Sequence, residues 1–168
     1  SDAMDELGSF AIKHNIPVTQ TVMGYSTMKR DHSHFLGPIG GLGGKAANNL
    51  AKETDLAICV GTKLADFTTG SWANFENPEF KLVSINIARH DANKHLAEAV
   101  IGDAKVCLSE LSNSLGNWKS PDSWYKKSQD ELKSWNEYVD KESGPTNQET
   151  PNYAHAVGAI YRNSDPTD

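Results

Sequence analysis

The fold is decided by one stretch, Leu56-Ala-Ile-Cys-Val-Gly61-Thr-Lys-Leu-Ala-Asp66-Phe-Thr-Thr-Gly70-Ser-Trp72. Its apolar, β-branched beginning predicts a buried parallel strand that ends abruptly at Gly61. Small hydroxyl residues, one lysine and one aspartate follow the strand. In open α/β sheets the carboxyl ends of parallel strands form the crevice in which ligands bind. The stretch therefore predicts an α/β protein with a candidate site directly after this strand.

Strands and helices alternate on both sides of this stretch. Upstream, the sequence predicts a helix over 5–15, a strand over 18–23, an irregular loop over 25–38, and a glycine-rich turn that opens a helix reaching residue 53. Downstream it predicts a loop over 66–78, a strand over 80–87, a short helix over 91–95, a strand over 99–101 and a helix over 104–115. That last helix is expected to turn four side chains inward: Val106, Leu108, Leu111 and Leu115. The alternation predicts right-handed βα units in a three-layer, Rossmann-like, mostly parallel sheet.

The remainder of the chain is predicted to contain helices and a linker but no further strand. Ser120-Pro121 is a favourable helix entry, and residues 119–142 are predicted to form a tail helix whose aromatic stripe packs on the domain or on a partner. Glu137 and Lys141 are spaced for an ion pair on that helix. Residues 143–151 are predicted to be a linker, and a further short amphipathic helix follows over 153–161.

Composition excludes several classes of protein. The 168 residues carry a net charge of −6 and no basic cluster, which argues against nucleic-acid binding. No apolar run is long enough to cross a membrane, and a cytoplasmic location is expected. Residues 1–3 are interpreted as a cloning scar. Cys59 and Cys107 are interpreted as two buried thiols in a reducing compartment rather than a disulfide or metal site.

Two motifs admit a functional and a structural interpretation. The turn Gly40-Gly-Leu-Gly-Gly44 is compatible with dinucleotide binding, but its spacing is not G-x-G-x-x-G and no strand is predicted immediately before it. Close helix–sheet packing is therefore the favoured interpretation. The histidines of Asp31-His-Ser-His34, and His90 with His95, lack the spacing of a metal site and are interpreted as loop residues. No catalytic residue and no metal ligand is assigned to this chain.

The order of several short segments resembles the middle domain of thiamine-diphosphate-dependent enzymes. The segments are Ile16-Pro17-Val18, Thr54-Asp55-Leu56-Ala57, Val60-Gly61, Ser84-Ile85-Asn86-Ile87 and Gly102-Asp103-Ala104-Lys105. Within that superfamily, the stretch Asp66–Trp72 is most similar to the ring-opening hydrolases of inositol breakdown. The resemblance assigns residues 4–118 to the middle domain and residues 152–168 to the start of a truncated diphosphate-binding domain.

The resemblance implies that cofactor binding and catalysis belong to other domains of a larger parent enzyme. Pyrimidine-binding and diphosphate-binding domains of the parent would hold thiamine diphosphate and Mg²⁺, and a homodimer is possible. No cofactor is expected in this chain, because Gly102-Asp103-Ala104 lacks the third glycine of the Gly-Asp-Gly metal motif. In some relatives the middle domain binds FAD or ADP at its strand ends. By position, the candidate lining residues here are Gly61, Thr62, Lys63, Asp66, Asn86 and Asp103.

One departure from the family pattern is visible. These middle domains usually begin with a strand before the helix at 5–15, and that strand is absent from this sequence. We expect the gap to be covered by an altered strand order, by the tail helix or by a second copy of the chain. The sequence thus supports a non-catalytic middle domain of a thiamine-dependent C–C hydrolase. A free-standing FAD- or ADP-binding module is the alternative.

Overall fold

Seven helices and five strands form within residues 2–165, which a computed structural model describes. The strands are β1 (Val18–Gln20), β2 (Phe35–Pro38), β3 (Leu56–Val60), β4 (Lys81–Asn86) and β5 (Glu98–Ile101). The helices are α1 (Met4–His14), α2 (Lys45–Glu53), α3 (Asp66–Thr69), α4 (Arg89–Ala92), α5 (Ala104–Leu115), α6 (Asp122–Glu142) and α7 (Tyr153–Asn163). Ser1 of the expected cloning scar and residues 166–168 of the expected following domain lie outside the described residues.

All strand pairing in the described part of the chain is parallel, which confirms the predicted α/β class. β3, β4 and β5 form a three-stranded sheet in that order, with Leu56 opposite Lys81 and Val60 opposite Ile85. β1 and β2 form a separate two-stranded sheet. The strands are thus divided between two sheets instead of forming one.

The two sheets have their carboxyl ends on the same side of the molecule. The loop after β2 contacts the loop after β3, where the Gly41 amide donates a hydrogen bond of 2.9 Å to the Phe67 carbonyl. Gly40 lies so close that a Cβ atom there would come within 2.5 Å of the Phe67 oxygen. Because both loops follow the carboxyl ends of their strands, β2 and β3 point in the same direction.

α1 and α5 pack together on one face of the three-stranded sheet. Phe10 of α1, Ile85 of β4 and Leu108 of α5 form the buried centre of this cluster. Leu108 is inward as predicted, whereas Val106 is 54% exposed, so that part of the expectation is wrong. Val106 therefore falls on the solvent side of α5.

The carboxyl end of α1 is fastened to residues far along the chain. His14 is fully buried, and its ring nitrogens lie 2.7 Å from the Trp118 carbonyl and 3.0 Å from the Ser112 hydroxyl. Lys13 donates to the Ser112 carbonyl at 3.0 Å, across 99 positions of sequence. Asn15 ends the helix in the left-handed conformation that its residue type tolerates. The first helix is therefore held by the last turn of α5 and by the segment that follows α5.

A second core lies between the β2 strand and helices α2 and α6. Leu36, Ala47 and Leu50 are buried in it, and Trp124 and Leu132 of α6 pack against it. The tail helix thus packs its apolar side on the domain, as predicted. The expected Glu137–Lys141 ion pair does not form, because Glu137 faces Lys133 at 3.9 Å instead.

Several predicted boundaries differ from the structure. The expected loop over 25–38 contains β2, a strand whose Phe35 and Leu36 are buried despite the glycine and proline that follow them. The expected strand over 18–23 is only three residues long, because Thr21 caps a 3₁₀ turn over Val22–Gly24. The loop over 66–78 contains α3, and the helix expected over 91–95 lies at Arg89–Ala92.

Both cysteines are free thiols, as predicted, although each residue is half-buried rather than fully buried. Burial raises the pKa of the Cys59 thiol to about 12, so the thiol stays protonated at neutral pH. None of the described helices combines the length and the apolar character that a membrane crossing requires.

Candidate functional site

The carboxyl ends of β3 and β4 are joined by side chains that the sequence singled out. Gly61 turns the chain out of β3 with a φ of +66°, a conformation that favours glycine. Asn86 is buried at the end of β4, and its amide nitrogen donates to the Thr62 carbonyl at 3.2 Å. The Asn86 amide oxygen accepts a hydrogen bond of 2.9 Å from the Ala88 backbone. Asn86 and Thr62 therefore fix the two loops relative to each other.

These two loops border an open cleft of about 300 Å³. Of the six predicted residues, Lys63 and Asp66 lie in its wall. The Asp66 carboxylate accepts a hydrogen bond of 3.0 Å from the Ser71 hydroxyl. Three residues that sequence reasoning missed complete the polar and aromatic lining: Trp72, Lys94 and His95.

Two lysines of the cleft interact with Asp91. Lys94 donates a hydrogen bond of 2.7 Å to Asp91. That hydrogen bond is the main reason why the pKa of Asp91 is lowered, and the charges of Lys94, Lys63 and His90 lower it further. Two lysines therefore lie near one aspartate at this end of the cleft.

Aromatic rings form another wall. Trp72 meets His95 edge to face, with ring centroids 4.7 Å apart. The backbone around these rings is unusual, because five of the seven described non-glycine residues with a left-handed φ lie here: Leu64, Ser71, Trp72, His95 and Leu96. Left-handed backbone in such residues is unfavourable and is concentrated at functional sites in proteins. The cleft can offer ammonium groups to an anion and aromatic faces to a flat ring.

Asp103 has a structural role at a different place. Its carboxylate accepts hydrogen bonds from the backbone amides of Lys105 and Val106, at 2.9 and 3.3 Å, and so caps α5. Like Gly61, Thr62 and Asn86, it is not among the residues that line the cleft. Gly102-Asp103 is thus the strand-end turn that the structural interpretation predicted.

The glycine turn at 40–44 is filled by protein atoms. Asn48 accepts from the Gly40 amide at 2.9 Å and donates to the Gly40 carbonyl at 3.1 Å. A Cβ atom on Gly44 would lie 3.0 Å from the Trp135 indole nitrogen, so α6 covers the start of α2. The expectation that no strand precedes this turn was wrong, since β2 ends at Pro38. The close approach of backbone and side chains nevertheless supports the packing interpretation.

The histidines in the predicted loops pack against aromatic rings. His34 is buried and stacks on Tyr125, with ring centroids 4.5 Å apart. Burial, and secondarily the charge of His32, lowers the pKa of His34. Within residues 2–165, no three histidine, cysteine or carboxylate side chains are grouped so as to hold a metal ion.

Neither nucleophile–base pairing nor a diphosphate site is assembled in this region. Ser71 donates its hydroxyl to Asp66 rather than to a histidine. The one aspartate in a motif related to metal–diphosphate binding, Asp103, is engaged by the backbone of α5. The described residues therefore do not fit thiamine diphosphate or its metal.

Comparisons with known proteins agree with this architecture. Residues 1–111 match the family described as thiamine pyrophosphate enzyme, central domain. A 3D-(3,5/4)-trihydroxycyclohexane-1,2-dione hydrolase of Clostridium perfringens strain 13 is 45% identical over 115 residues, covering 68% of this chain and 18% of that protein. A protein of the same name from Clostridium botulinum strain Eklund 17B is 39% identical over 141 residues, covering 84% of this chain and 22% of its own length. The chain spans about a fifth of the length of these relatives.

Proposed function

The chain belongs to the family of thiamine pyrophosphate enzyme central domains, and from that premise we propose that it is the non-catalytic central domain of a larger hydrolase. The parent would open trihydroxycyclohexane-1,2-dione in inositol degradation. The observation that carries the proposal is the 39–45% identity to hydrolases of that name, which extends over most of the chain.

Two features of the site support a scaffolding role. The cleft presents lysines and aromatic rings but no serine or cysteine paired with a histidine, a pair that many hydrolases use for covalent catalysis. The described residues also lack a fit to the thiamine cofactor. We therefore assign thiamine diphosphate and Mg²⁺ to the pyrimidine-binding and diphosphate-binding domains of the parent. Residues 152–165 would be the start of the latter domain.

Exposed apolar side chains support contact with those domains. The loops that follow β1, β2, β3 and β4 each present at least one such side chain, although these strands belong to two sheets. Clustered exposed apolar surface commonly marks an interaction site. The side chains are Met23, Tyr25, Leu42, Phe67 and Ile87, exposed by 95, 81, 69, 55 and 79%. We propose that neighbouring domains of a cytoplasmic parent enzyme cover this side.

A domain exchange tests the proposal. Residues 4–118 of this chain replace the matching segment of the Clostridium perfringens hydrolase, and hydrolysis of its dione is measured with thiamine diphosphate and Mg²⁺ present. Activity within about tenfold of the parent is expected, and the isolated chain should give no turnover under the same conditions. A Gly40→Ala version of the same chimera is the matched control, because it disturbs the contact between the two sheets. A folded but inactive chimera, or turnover by the isolated chain, would overturn the proposal.

One observation favours a second function, the binding of an adenine nucleotide such as ADP or FAD. Lys63 and Lys94 flank the same cleft as the Trp72 and His95 rings, a combination that suits a phosphate joined to a flat base. A ligand that binds only the native state stabilises it by about 2.7 kcal/mol at 100 times its Kd. Thermal unfolding with ADP, FAD and NAD should therefore show a rise in Tm that Trp72→Ala abolishes. Equal melting with and without every nucleotide would exclude this function.

A further inference from the structure

A histidine and a serine from distant parts of the chain are hydrogen-bonded where α1 meets α5. The Nε2 atom of His14, the last residue of α1, lies 3.0 Å from the hydroxyl oxygen of Ser112 in the last turn of α5. The Nδ1 atom of the same ring lies 2.7 Å from the Trp118 carbonyl. A hydroxyl beside an imidazole that a third group orients is the arrangement that activates a serine as a nucleophile.

The groups around this pair determine which atom carries each proton. A carbonyl oxygen only accepts, so Nδ1 of His14 carries the ring proton and donates it to Trp118. In the neutral ring Nε2 is then an acceptor. The Lys13 ammonium only donates, and it lies 3.0 Å from the Ser112 hydroxyl oxygen. The hydroxyl hydrogen of Ser112 is therefore directed at Nε2, the position that a general base must occupy.

The serine of this pair can be approached from solvent, whereas the histidine cannot. Ser112 is half-buried and lines an open groove of about 220 Å³ between α1 and α5. His14 is fully buried and is not among the residues that line this groove. A molecule that enters the groove therefore meets the Ser112 hydroxyl with its base behind it.

The groove also holds a cation for the charge that an attack by Ser112 would create. When a hydroxyl adds to a carbonyl carbon, the carbonyl oxygen becomes negatively charged. The Lys13 ammonium, 3.0 Å from the Ser112 hydroxyl oxygen, can donate to that oxyanion. Asp5 and Glu6 line the same groove and disfavour a negatively charged acyl group. The volume and the charges of the groove thus suit a short, uncharged acyl group.

We propose that Ser112 is an acyl-accepting nucleophile with His14 as its general base, and that it takes a short, uncharged acyl group from an activated ester. The bond from the serine oxygen to the carbonyl carbon forms as the hydroxyl proton passes to Nε2 of His14. The bond from that carbon to the leaving oxygen then breaks, and the leaving group takes the proton from Nε2. The products are an ester on Ser112 and a free alcohol, and His14 is neutral again.

The burial of His14 makes this reaction a modification of the protein rather than a turnover. Hydrolysis of the new ester would require a water molecule within reach of Nε2. Because His14 is fully buried and its Nε2 faces Ser112, we expect the acyl group to accumulate on the protein. The inference therefore stands independently of the proposed function, in which the isolated chain performs no turnover of the dione.

Acetylation by p-nitrophenyl acetate tests the proposal. The chain of 168 residues is treated with the reagent and digested, and the acetylated positions are located by mass spectrometry. Loss of the acetyl group in hydroxylamine distinguishes serine esters from lysine amides. Ser112 should be acetylated at least about a hundredfold faster than Ser9 and Ser109, the lower end of what a general base contributes. Those two serines are matched controls, because they line the same groove while the ring nitrogens of His14 bond to other groups.

Three further measurements follow from the same geometry. Urea should reduce acetylation at Ser112 to the rate of the control serines, because the pair exists only in the folded chain. Ser112→Ala should abolish the fast-forming ester, and Ser109→Ala should leave it unchanged. His14→Gln should slow acetylation at Ser112 by at least about tenfold. If that variant does not fold, a slower reaction of Ser112 in D₂O, with Ser109 less affected, tests the proton transfer in the original chain.

The proposal would be overturned by equal rates at the three serines of the folded chain. A fast reaction at Ser112 that persists in urea would overturn it as well, since the reactivity would then not come from the fold. A folded His14→Gln variant that is acetylated at the original rate would remove the general base and with it the proposal.

Discussion

Replacing Leu108 by alanine tests the core that joins α1, α5 and β4. Leu108 is 1% exposed and lies between Phe10 and Ile85. Truncation of a buried leucine removes its transfer free energy and leaves a cavity, which together destabilise proteins by about 2–5 kcal/mol. Only three residues form the buried centre of this cluster, and its partly buried surroundings can relax, so we expect about 3 kcal/mol. For a chain of this length that loss corresponds to a fall in Tm of roughly 6–12 °C.

Val106→Ala is the matched control, because Val106 lies on the same helix and is 54% exposed. We expect a change of no more than about 0.5 kcal/mol, and alanine has the higher helix propensity. The assay is urea unfolding followed by circular dichroism, in which the midpoint moves and the slope stays constant. If Leu108→Ala lowered the free energy of unfolding by less than about 1 kcal/mol, or no more than Val106→Ala, the assigned packing of α5 would be refuted.

Three further predictions follow from other parts of the structure. Because the pKa of His34 lies below its ordinary value of 6.5 in the folded state, its neutral form contributes stability that is complete above pH 6.5 and is lost as pH falls below it. Urea midpoints measured from pH 7.5 to 5 should fall in the native chain and in the exposed-site control His90→Gln, but should fall less in His34→Gln. An equal fall of the midpoint with pH in all three proteins would contradict this role of His34. Gly40→Ala should lower the free energy of unfolding by at least about 1 kcal/mol more than Gly37→Ala. Both glycines have a positive φ, but only at Gly40 would a Cβ atom collide with the Phe67 carbonyl. Equal urea midpoints for the two variants would contradict the close approach of Gly40 to Phe67. With a pKa of about 12, Cys59 should resist iodoacetamide at pH 8 in the folded protein and react in urea, as peptide mass mapping can show; rapid labelling of the native protein would refute its burial.

The sequence predicted those elements whose own residues determine them. β3 is a continuous apolar run, β4 contains Leu82, Val83 and Ile85, and α5 combines an Asp103 cap with a regular apolar period. β2 was missed because its four residues include a glycine and a proline, and because burial of Leu36 comes from packing against α2. Long-range packing decided that element, and no local pattern signals it.

The candidate site also contains residues that the sequence predicted and residues that it missed. Lys63 and Asp66 were found because residues after a parallel strand must lie at its carboxyl end. Trp72 and His95 were missed, since left-handed backbone in two separate loops brings their rings within 4.7 Å. Asp103 was placed among the lining residues because it follows β5, yet its position as the first residue before α5 makes it a cap. The position of a residue after a strand predicts where the residue lies, whereas its hydrogen-bond partners determine what its side chain does.

The end of α1 is held by residues of α5 and of the segment after it, so this attachment forms late during synthesis of the chain. Ribosomes add about 5–20 residues per second, so roughly 5–20 seconds separate the emergence of His14 from that of Trp118, 104 positions later. The apolar face of the first helix lacks its buried partners until Ile85 and Leu108 have emerged, and until then it is available to chaperones. A nascent chain that stops before Ser112 cannot complete this attachment, whereas one released after Asp122 contains the residues that hydrogen-bond to His14 and Asn15.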